Sequence, residues 1–403
     1  MRKAPLAAAP LVMAACLALQ AWSSPAAAQP VRITGRVSPA EARIELHPAH
    51  RTFEERLRGL TGGPEPASLA TAAPRPDGTF EIAAPGPGFY RIVLNAEGLV
   101  PLERFLSPLL EPAALAPARL TRGAPLEVQV LGPAGTPEKG IEVRASGSAA
   151  PVVGRSEKVQ AWTPAEVRGV TGEDGRVRFP RRRGDRAFVS VTTLCFVEWL
   201  EGVDGTSATL RLRQRPARVV KVLRPDGRPA PGTLVSLDAS HPLGVTGADG
   251  RLALPVLDQG SPELLLEGPG GLSTTLRWPA PGSGPVTATL APPRLVTGGV
   301  LDVLTSAPLA GALVWSQDMP PVRTGARGEF ELRLPLAQQP AVAAAVAGYL
   351  TAWQPVPPSV GSEKTALLLK LAPSATLAGV AVDDGGRGPD RSRAPRLVPP
   401  HSA

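Results

Sequence analysis

The pattern Thr-Gly-x-Asp-Gly-Arg occupies residues 171–176 and returns at 246–251. A decayed copy runs over 324–329, and a fainter one ends at Asp77 and Gly78. Each copy leads into alternating apolar residues and then a proline: Phe80 and Ile82 before Pro85, Val177 and Phe179 before Pro180, Leu252 and Leu254 before Pro255, Phe330 and Leu332 before Pro335. A motif that returns at the same place relative to the next strand marks an architectural repeat, so the chain must fold as serial copies of one small unit. Asp-Gly between alternating apolar runs predicts a hairpin, because glycine takes up positive φ without steric cost.

The rest of each unit follows the same order. An opening strand reads like Val-x-Gly-x-Val at 33–37, 126–131, 219–223 and 296–303. A second strand enters behind a glycine at 140–143, 232–235 and 311–314, and a closing strand ends in Leu-Ala-Pro at 115–117, 290–292 and 371–373. Strands of about five residues, with turn signals every eight to twelve, indicate an antiparallel sandwich and not βαβ units. Pro (48) and Gly (42) interrupt nearly every window that would hold a helix; residues 53–60 are the exception, with room for a turn or two. The expectation is an all-β chain of tandem antiparallel β-sandwich repeats, Ig-like or prealbumin-like, over 29–118, 119–216, 217–292 and 293–373. Residues 374–403 begin a fifth unit at 377–382 and then turn Arg/Pro/Gly-rich. A lone opening strand cannot bury a face of its own, so it either pairs with the fourth unit or leaves a disordered tail. A truncated or frame-shifted reading of a longer gene would look the same.

Residues 1–28 read as an export signal: Arg2 and Lys3, an apolar run from Leu6 to Leu19, and a small-residue cleavage site at Ala26, Ala27 and Ala28. The apolar run is short for a membrane span. Cys16 after Ala14 and Ala15 offers a rival lipid-anchor site, disfavoured by Met13 and by the good site downstream. The mature chain keeps one cysteine, Cys195, in an apolar run where it reads as a small core residue. The repeats therefore stand on packing, without an intrachain disulfide.

The formal charge is +8, with arginine dominant and alternating at Arg211, Arg213 and Arg215. In a strand that row shares one face, opposite Leu210 and Leu212. It reads as a solvated face ahead of an anion-binding one, and export argues against nucleic acid as the partner. Polysaccharide and cell-envelope proteins are the partners left.

The order of elements carries a family look. In the fourth unit, 296–300, 311–314, Thr324-Gly325-Ala326-Arg327-Gly328-Glu329-Phe330 and Ala347-Gly348-Tyr349 resemble the carboxypeptidase regulatory-like domain, one of the prealbumin-like or starch-binding-like sandwiches. The third unit lacks the Gly-Tyr element; the first and second match mainly at the Asp-Gly turn. The resemblance implies tandem accessory modules on secreted or surface proteins, and the wider fold is associated with carbohydrate binding.

No motif names a chemistry. A zinc carboxypeptidase needs His-x-x-Glu plus a distant histidine, and none of His47, His50, His241 and His401 begins that motif. Pro48 opposes a helix joining His47 to His50, so both read as solvated loop residues. There is no Gly-x-Ser-x-Gly elbow and no Gly-x-x-x-x-Gly-Lys-Ser/Thr loop. Glu173 and Asp174 supply two carboxylates where Ca²⁺ takes six or more oxygens. No catalytic residue, metal site or cofactor is therefore assigned. Aromatic platforms remain. Trp278, before Pro279 at a strand end, and Trp353, after the Gly-Tyr turn, are the candidate ligand contacts, whereas Trp199 and Trp315 continue apolar strands and read as core. The expected function is an exported, non-catalytic structural or carbohydrate-binding array at the bacterial cell envelope, periplasmic or at the surface. The alternatives are a protein-interaction or adhesion spacer, and a fragment of a larger receptor or enzyme.

Overall fold

Successive side chains of a strand point to opposite faces, and the stretch 329–334 shows what that does here. Phe330, Leu332 and Leu334 are buried while Glu329, Glu331 and Arg333 face water. The same alternation runs through the chain, and the outcome is strands almost throughout. The computed structural model describes residues 29–50, 52–60, 66–147, 162–181, 187–193, 196–203, 205–212, 217–237, 242–255, 263–278, 286–316, 319–334, 341–357 and 364–374. The export signal with Cys16, Cys195, the side chain of Trp199, Arg213, Arg215, His241, His401 and the fifth opening strand at 377–382 lie outside the described residues.

The first sheet pair holds β1 (Val31–Ser38), β2 (Arg43–Pro48), β3 (Ala70–Ala72), β4 (Thr79–Ala84), β5 (Gly88–Asn95), β6 (Leu102–Leu109), β7 (Ala113–Ala114) and β8 (Ala118–Arg119), with helix α1 (Phe53–Leu60) between β2 and β3. Thr52 and Glu55 start that helix as a reciprocal cap: the Glu55 N–H donates to Thr52 Oγ1 at 3.2 Å, and the Thr52 N–H donates to Glu55 Oε2 at 2.8 Å. The second pair holds β9 (Ala124–Leu131), β10 (Glu142–Gly147), β11 (Thr163–Pro164), β12 (Val167–Val170), β13 (Arg176–Arg181), β14 (Ala187–Thr193), β15 (Phe196–Val203) and β16 (Ser207–Arg211). The third holds β17 (Ala217–Leu223), β18 (Leu234–Ser236), β19 (Pro242–Val245), β20 (Arg251–Pro255), β21 (Glu263–Glu267), β22 (Ser273–Arg277) and β23 (Val286–Thr289). The fourth holds β24 (Arg294–Asp302), β25 (Leu313–Trp315), β26 (Val322–Arg323), β27 (Glu329–Leu334), β28 (Ala341–Ala345), β29 (Ala352–Pro355) and β30 (Thr365–Leu371).

One topology serves all four. The opening strand is central in the smaller sheet, in the orders β4-β1-β7, β13-β9-β16, β20-β17-β23 and β27-β24-β30. The facing sheets run β6-β5-β2-β3, β12-β10-β14-β15, β19-β18-β21-β22 and β26-β25-β28-β29. Pairing is antiparallel except that each closing strand lies parallel to its opening strand, as Val296↔Thr365 to Asp302↔Leu371. Each pair of sheets encloses its own apolar cluster, such as Val220, Val222, Val235, Leu264, Leu266 and Leu290 in the third. Each such buried side chain contributes roughly 1.5–3 kcal/mol.

The repeated Asp-Gly turn does not make the expected hairpin. The strands it joins, β3 to β4, β12 to β13, β19 to β20 and β26 to β27, belong to opposite sheets. The reason is where the turn's glycine carbonyl goes. It accepts the N–H of the opening strand's valine in every unit: Val37 to Gly78 at 2.9 Å, Val130 to Gly175 at 2.8 Å, Val222 to Gly250 at 2.7 Å and Val300 to Gly328 at 2.9 Å. Each of these glycines has φ between +68° and +80°, which a side chain would resist. The motif threonine fastens the other side. Thr171, Thr246 and Thr324 donate their hydroxyls to Glu138 O, Ala230 O and Leu309 O at 2.6–2.7 Å, and accept the N–H groups of Ile141, Thr233 and Ala312 at 2.9–3.0 Å.

The sandwiches also touch one another. From the second unit, β11 pairs with β6 at Thr163↔Glu103 and Pro164↔Leu102, and the Trp162 indole N–H donates to Ala116 O at 2.8 Å. Arg56 of α1 pairs with Glu267 of β21 at 2.6 Å. Phe89 of β5 packs with Leu313, Trp315, Ala343 and Ala345 on the outward face of the fourth unit's larger sheet.

Candidate functional site

Trp278 follows β22 and turns inward. It is 1 % exposed, packed in the third core, with the Arg218 guanidinium 5.8 Å from its ring centre. Sequence position at a strand end suggested an edge, but the ring fills the space between the two sheets, so no face of it is open to a ligand. Its Nε1 is buried without an acceptor among the described residues.

Trp353 is the opposite case. It lies on β29 opposite Ala343, projects from the sheet's outward face, and is 50 % exposed. Edge-to-face packing holds it: its ring is 5.6 Å from Trp315 at 80°, Trp315 is 5.0 Å from Phe89 at 82°, and Phe89 is 5.4 Å from His50 at 48°. These separations and tilts are those aromatic pairs prefer. Trp315 is buried as expected for a core residue, though in the seam between the first and fourth units and not inside either sandwich. Phe89 escaped the sequence reading, and His50 was read only as a solvated loop residue. The available signal was Phe89 beside Tyr90 in one strand: neighbours point to opposite faces, and Tyr90 takes the inside, donating its hydroxyl to Gly86 O at 2.7 Å.

Neither His47 nor His50 is a solvated loop residue: His47 is in a strand, and His50, in the bend after it, is partly buried. His47 lies in β2 beside Glu45, with 3.3 Å between its Nε2 and the carboxylate, and His50 leans on Phe89. The two are thereby engaged in different surroundings. The Asp-Gly carboxylates serve the turns: Asp77, Asp174 and Asp249 accept the N–H groups of Thr79, Arg176 and Arg251 at 2.9–3.1 Å. Hydrogen bonds from Thr79, led by its hydroxyl, hold the Asp77 carboxyl below its ordinary range. Among the described residues no group of three His, Cys, Asp or Glu side chains could hold a metal ion. Arg211 is exposed with Leu210 and Leu212 buried, as strand alternation requires. Other arginines are spent on ion pairs: Arg176 and Arg178 both reach Glu127, and the Arg178 hydrogen bond leads in holding that carboxyl below its ordinary range. A shallow cleft of about 350 Å³ beside Arg36, Asp77 and Arg119 offers two cations and one carboxylate already engaged in its turn.

No family model matches the chain, and no curated protein matches it. Solved structures similar to it include a Streptococcal ancillary pilin, at 13 % identity over 62 % of this chain and 100 % of that one, with a TM-score of 0.22. BcpA, the major pilin subunit of Bacillus cereus, aligns at 8 % identity over 63 % of this chain and 100 % of its own, TM-score 0.19. The pilus adhesin SpaC from Lactobacillus rhamnosus GG aligns at 9 % identity over 86 % of this chain and 56 % of its own, TM-score 0.19. Scores this low mean the chains do not superpose as whole bodies, and no property of those proteins is carried over. Among the described residues no helix is long and apolar enough to cross a membrane.

Proposed function

We propose that the chain is an exported, non-catalytic array of β-sandwich modules of the carboxypeptidase regulatory-like kind, with units at 29–118, 119–216, 217–292 and 293–373 behind a cleaved signal at 1–28. Its role is structural or carbohydrate-binding at the bacterial cell envelope, and Trp353 is the contact residue. The observation that carries this reading is the Trp353 ring: half open to water, on the outward face of a rigid sheet, and braced by Trp315 and Phe89. A sugar's apolar face stacks on such a ring, and a braced ring loses little freedom on binding. The spacer alternative is disfavoured by the Arg56–Glu267 and Phe89–Trp315 contacts, which fold the array back on itself and shorten its reach.

The test is tryptophan fluorescence titrated with neutral and acidic polysaccharides. A ligand should shift the emission of the wild type and leave Trp353→Ala unchanged. A flat wild-type response across the panel removes the carbohydrate reading, and a response that persists in Trp353→Ala moves the site elsewhere.

A further inference from the structure

The first and fourth sandwiches are built on one register, and they differ at one edge. Val93↔Glu103 and Leu94↔Leu102 in β5–β6 correspond to Ala343↔Trp353 and Ala344↔Ala352 in β28–β29. In both units the turn before that edge strand is tied to the closing strand: Val100 N–H donates to Thr121 O at 3.0 Å, and Leu350 N–H to Ala372 O at 2.9 Å. Val100 and Leu350 are therefore equivalent, as are Glu103 and Trp353.

In the first unit a strand from the chain that follows covers this edge. β11 pairs with β6, and the Ala165 N–H donates to Pro101 O at 3.0 Å. Val100, next to that pairing in the chain, is 2 % exposed. In the fourth unit β29 ends its sheet, and among the described residues nothing pairs with its outer side. Leu350 is 58 % exposed there. Beside it, on the loop after β24, Leu304 is 77 % exposed. That loop is firmly built: Asp302 accepts the N–H groups of Leu304 and Thr305 at 2.7 and 2.9 Å and the Tyr349 hydroxyl at 2.8 Å. Val303 and Leu350 donate to the adjacent carbonyls of Leu371 and Ala372, which places both loops at one end of the sandwich. An open edge flanked by large exposed apolar side chains is a template for another strand. The outer edge of β22 differs, bridged at Ser273 to Ala291 and carrying Thr274, Thr275 and Arg277.

We propose that the β29 edge accepts residues 377–382 of the same chain as an added strand running parallel to β29, on the edge equivalent to the one that β11 covers antiparallel in the first unit. That segment, Leu-Ala-Gly-Val-Ala-Val, is uncharged and lacks proline, and its valines favour the extended state. The chain leaves the described residues at the right place, since Ser374 N–H donates to Gly348 O at 2.8 Å, two residues before Leu350. The residues from 374 to 377 span about 10 Å at most, enough to reach a strand position about 4.8 Å from β29. Strand pairing uses the sheet's edge, whereas the Trp353 ring stands on its face, so an added strand leaves the proposed sugar contact open.

Hydrogen exchange of the full chain, read by mass spectrometry, tests this. Amides of 377–382 and of 351–354 should exchange at least tenfold more slowly than an unstructured chain. Gly379→Pro and Val380→Pro are the variants, because successive strand residues alternate their N–H direction and one of the two must delete a ladder donor. At least one should lose the protection at 377–382 and at the outward-directed Thr351 and Trp353 amides together, while amides of β17 stay protected and report an intact fold. Unprotected amides at 377–382 in the wild type overturn the proposal. So does protection of the outward-directed Thr351 and Trp353 amides that survives both prolines, the amides of Ala352 and Gln354 facing β28 in any case. Protection that rises with protein concentration, alongside a dimer in light scattering, also overturns it by assigning the strand to a second copy.

Discussion

Two glycines of the third sandwich share a left-handed backbone and differ only in what surrounds them. Gly250 has φ +71° and Gly227 has φ +79°. A Cβ at Gly227 meets nothing within 4 Å, whereas one at Gly250 would lie 2.5 Å from Val222 O and 2.9 Å from the Ala230 nitrogen. Gly227→Ala should therefore cost only the left-handed penalty, about 1–2 kcal/mol. Gly250→Ala carries the same penalty and a clash that the turn can relieve only by moving on the order of 1 Å, toward ordinary contact distance. That movement breaks the bonds from Val222 N–H to Gly250 O at 2.7 Å and from Ala230 N–H to Val222 O at 2.9 Å. Two stranded donors add about 1–3 kcal/mol each, for a total of at least about 3 kcal/mol. A unit of this size holds roughly 5 kcal/mol in all, so the third sandwich should be close to unfolding on its own. Native-state hydrogen exchange of amides in β17 and β20 reads that unit's stability directly. The two variants should differ by about 2 kcal/mol or more, close to thirtyfold or greater in opening equilibrium. Costs equal within about 0.5 kcal/mol would refute the reasoning and reduce the repeated turn to a matter of φ alone.

Thr246→Val keeps the shape of a buried side chain but strands the Thr233 N–H, because Ala230 O retains the Thr233 hydroxyl. It should cost about 1–3 kcal/mol by urea denaturation, with Thr246→Ser recovering part of that; an unchanged midpoint counts against the threonine bridge. Glu103, buried beneath β11 with Arg91 at 3.3 Å, has its carboxyl pushed up by burial against the pull of Arg91. A carboxyl raised in the folded state lends stability below its unfolded pKa, and that stability is lost as pH rises through the folded one. Glu103→Gln should therefore match the wild type in acid and gain on it toward neutral pH, in thermal melts across pH; the reverse trend would mean that Arg91 outweighs burial. The Trp353→Ala titration and the proline variants at 379 and 380 complete the set.

Strand positions and inward faces were legible because both are local. Alternation such as that of 329–334 is written in consecutive residues, and the Asp-Gly recurrence counts the sandwiches. The hairpin expectation failed because a turn's chemistry names its φ values without naming the sheet its outgoing strand joins. The capping box at Thr52 and Glu55 was legible and went unread. Trp278 and Trp353 looked equivalent in the sequence, each at a strand end, and the fold buried one and opened the other.

The chain's local pattern thus settled which residues form strands, where glycine is obligatory, and which side chains face a sandwich interior, since each depends on neighbours a few positions away. It could not settle the fate of the outward faces. Whether such a face meets water or protein depends on partners far along the chain, as with Arg56 and Glu267, 211 residues apart, or Phe89 against Trp315. Packing between sandwiches placed Trp315 in a seam and left Trp353 at its rim. It also covered the edge of β6 with β11, whereas among the described residues no strand pairs with the outer side of β29. A period-two pattern says that a side chain points outward, and only assembly decides what it meets there.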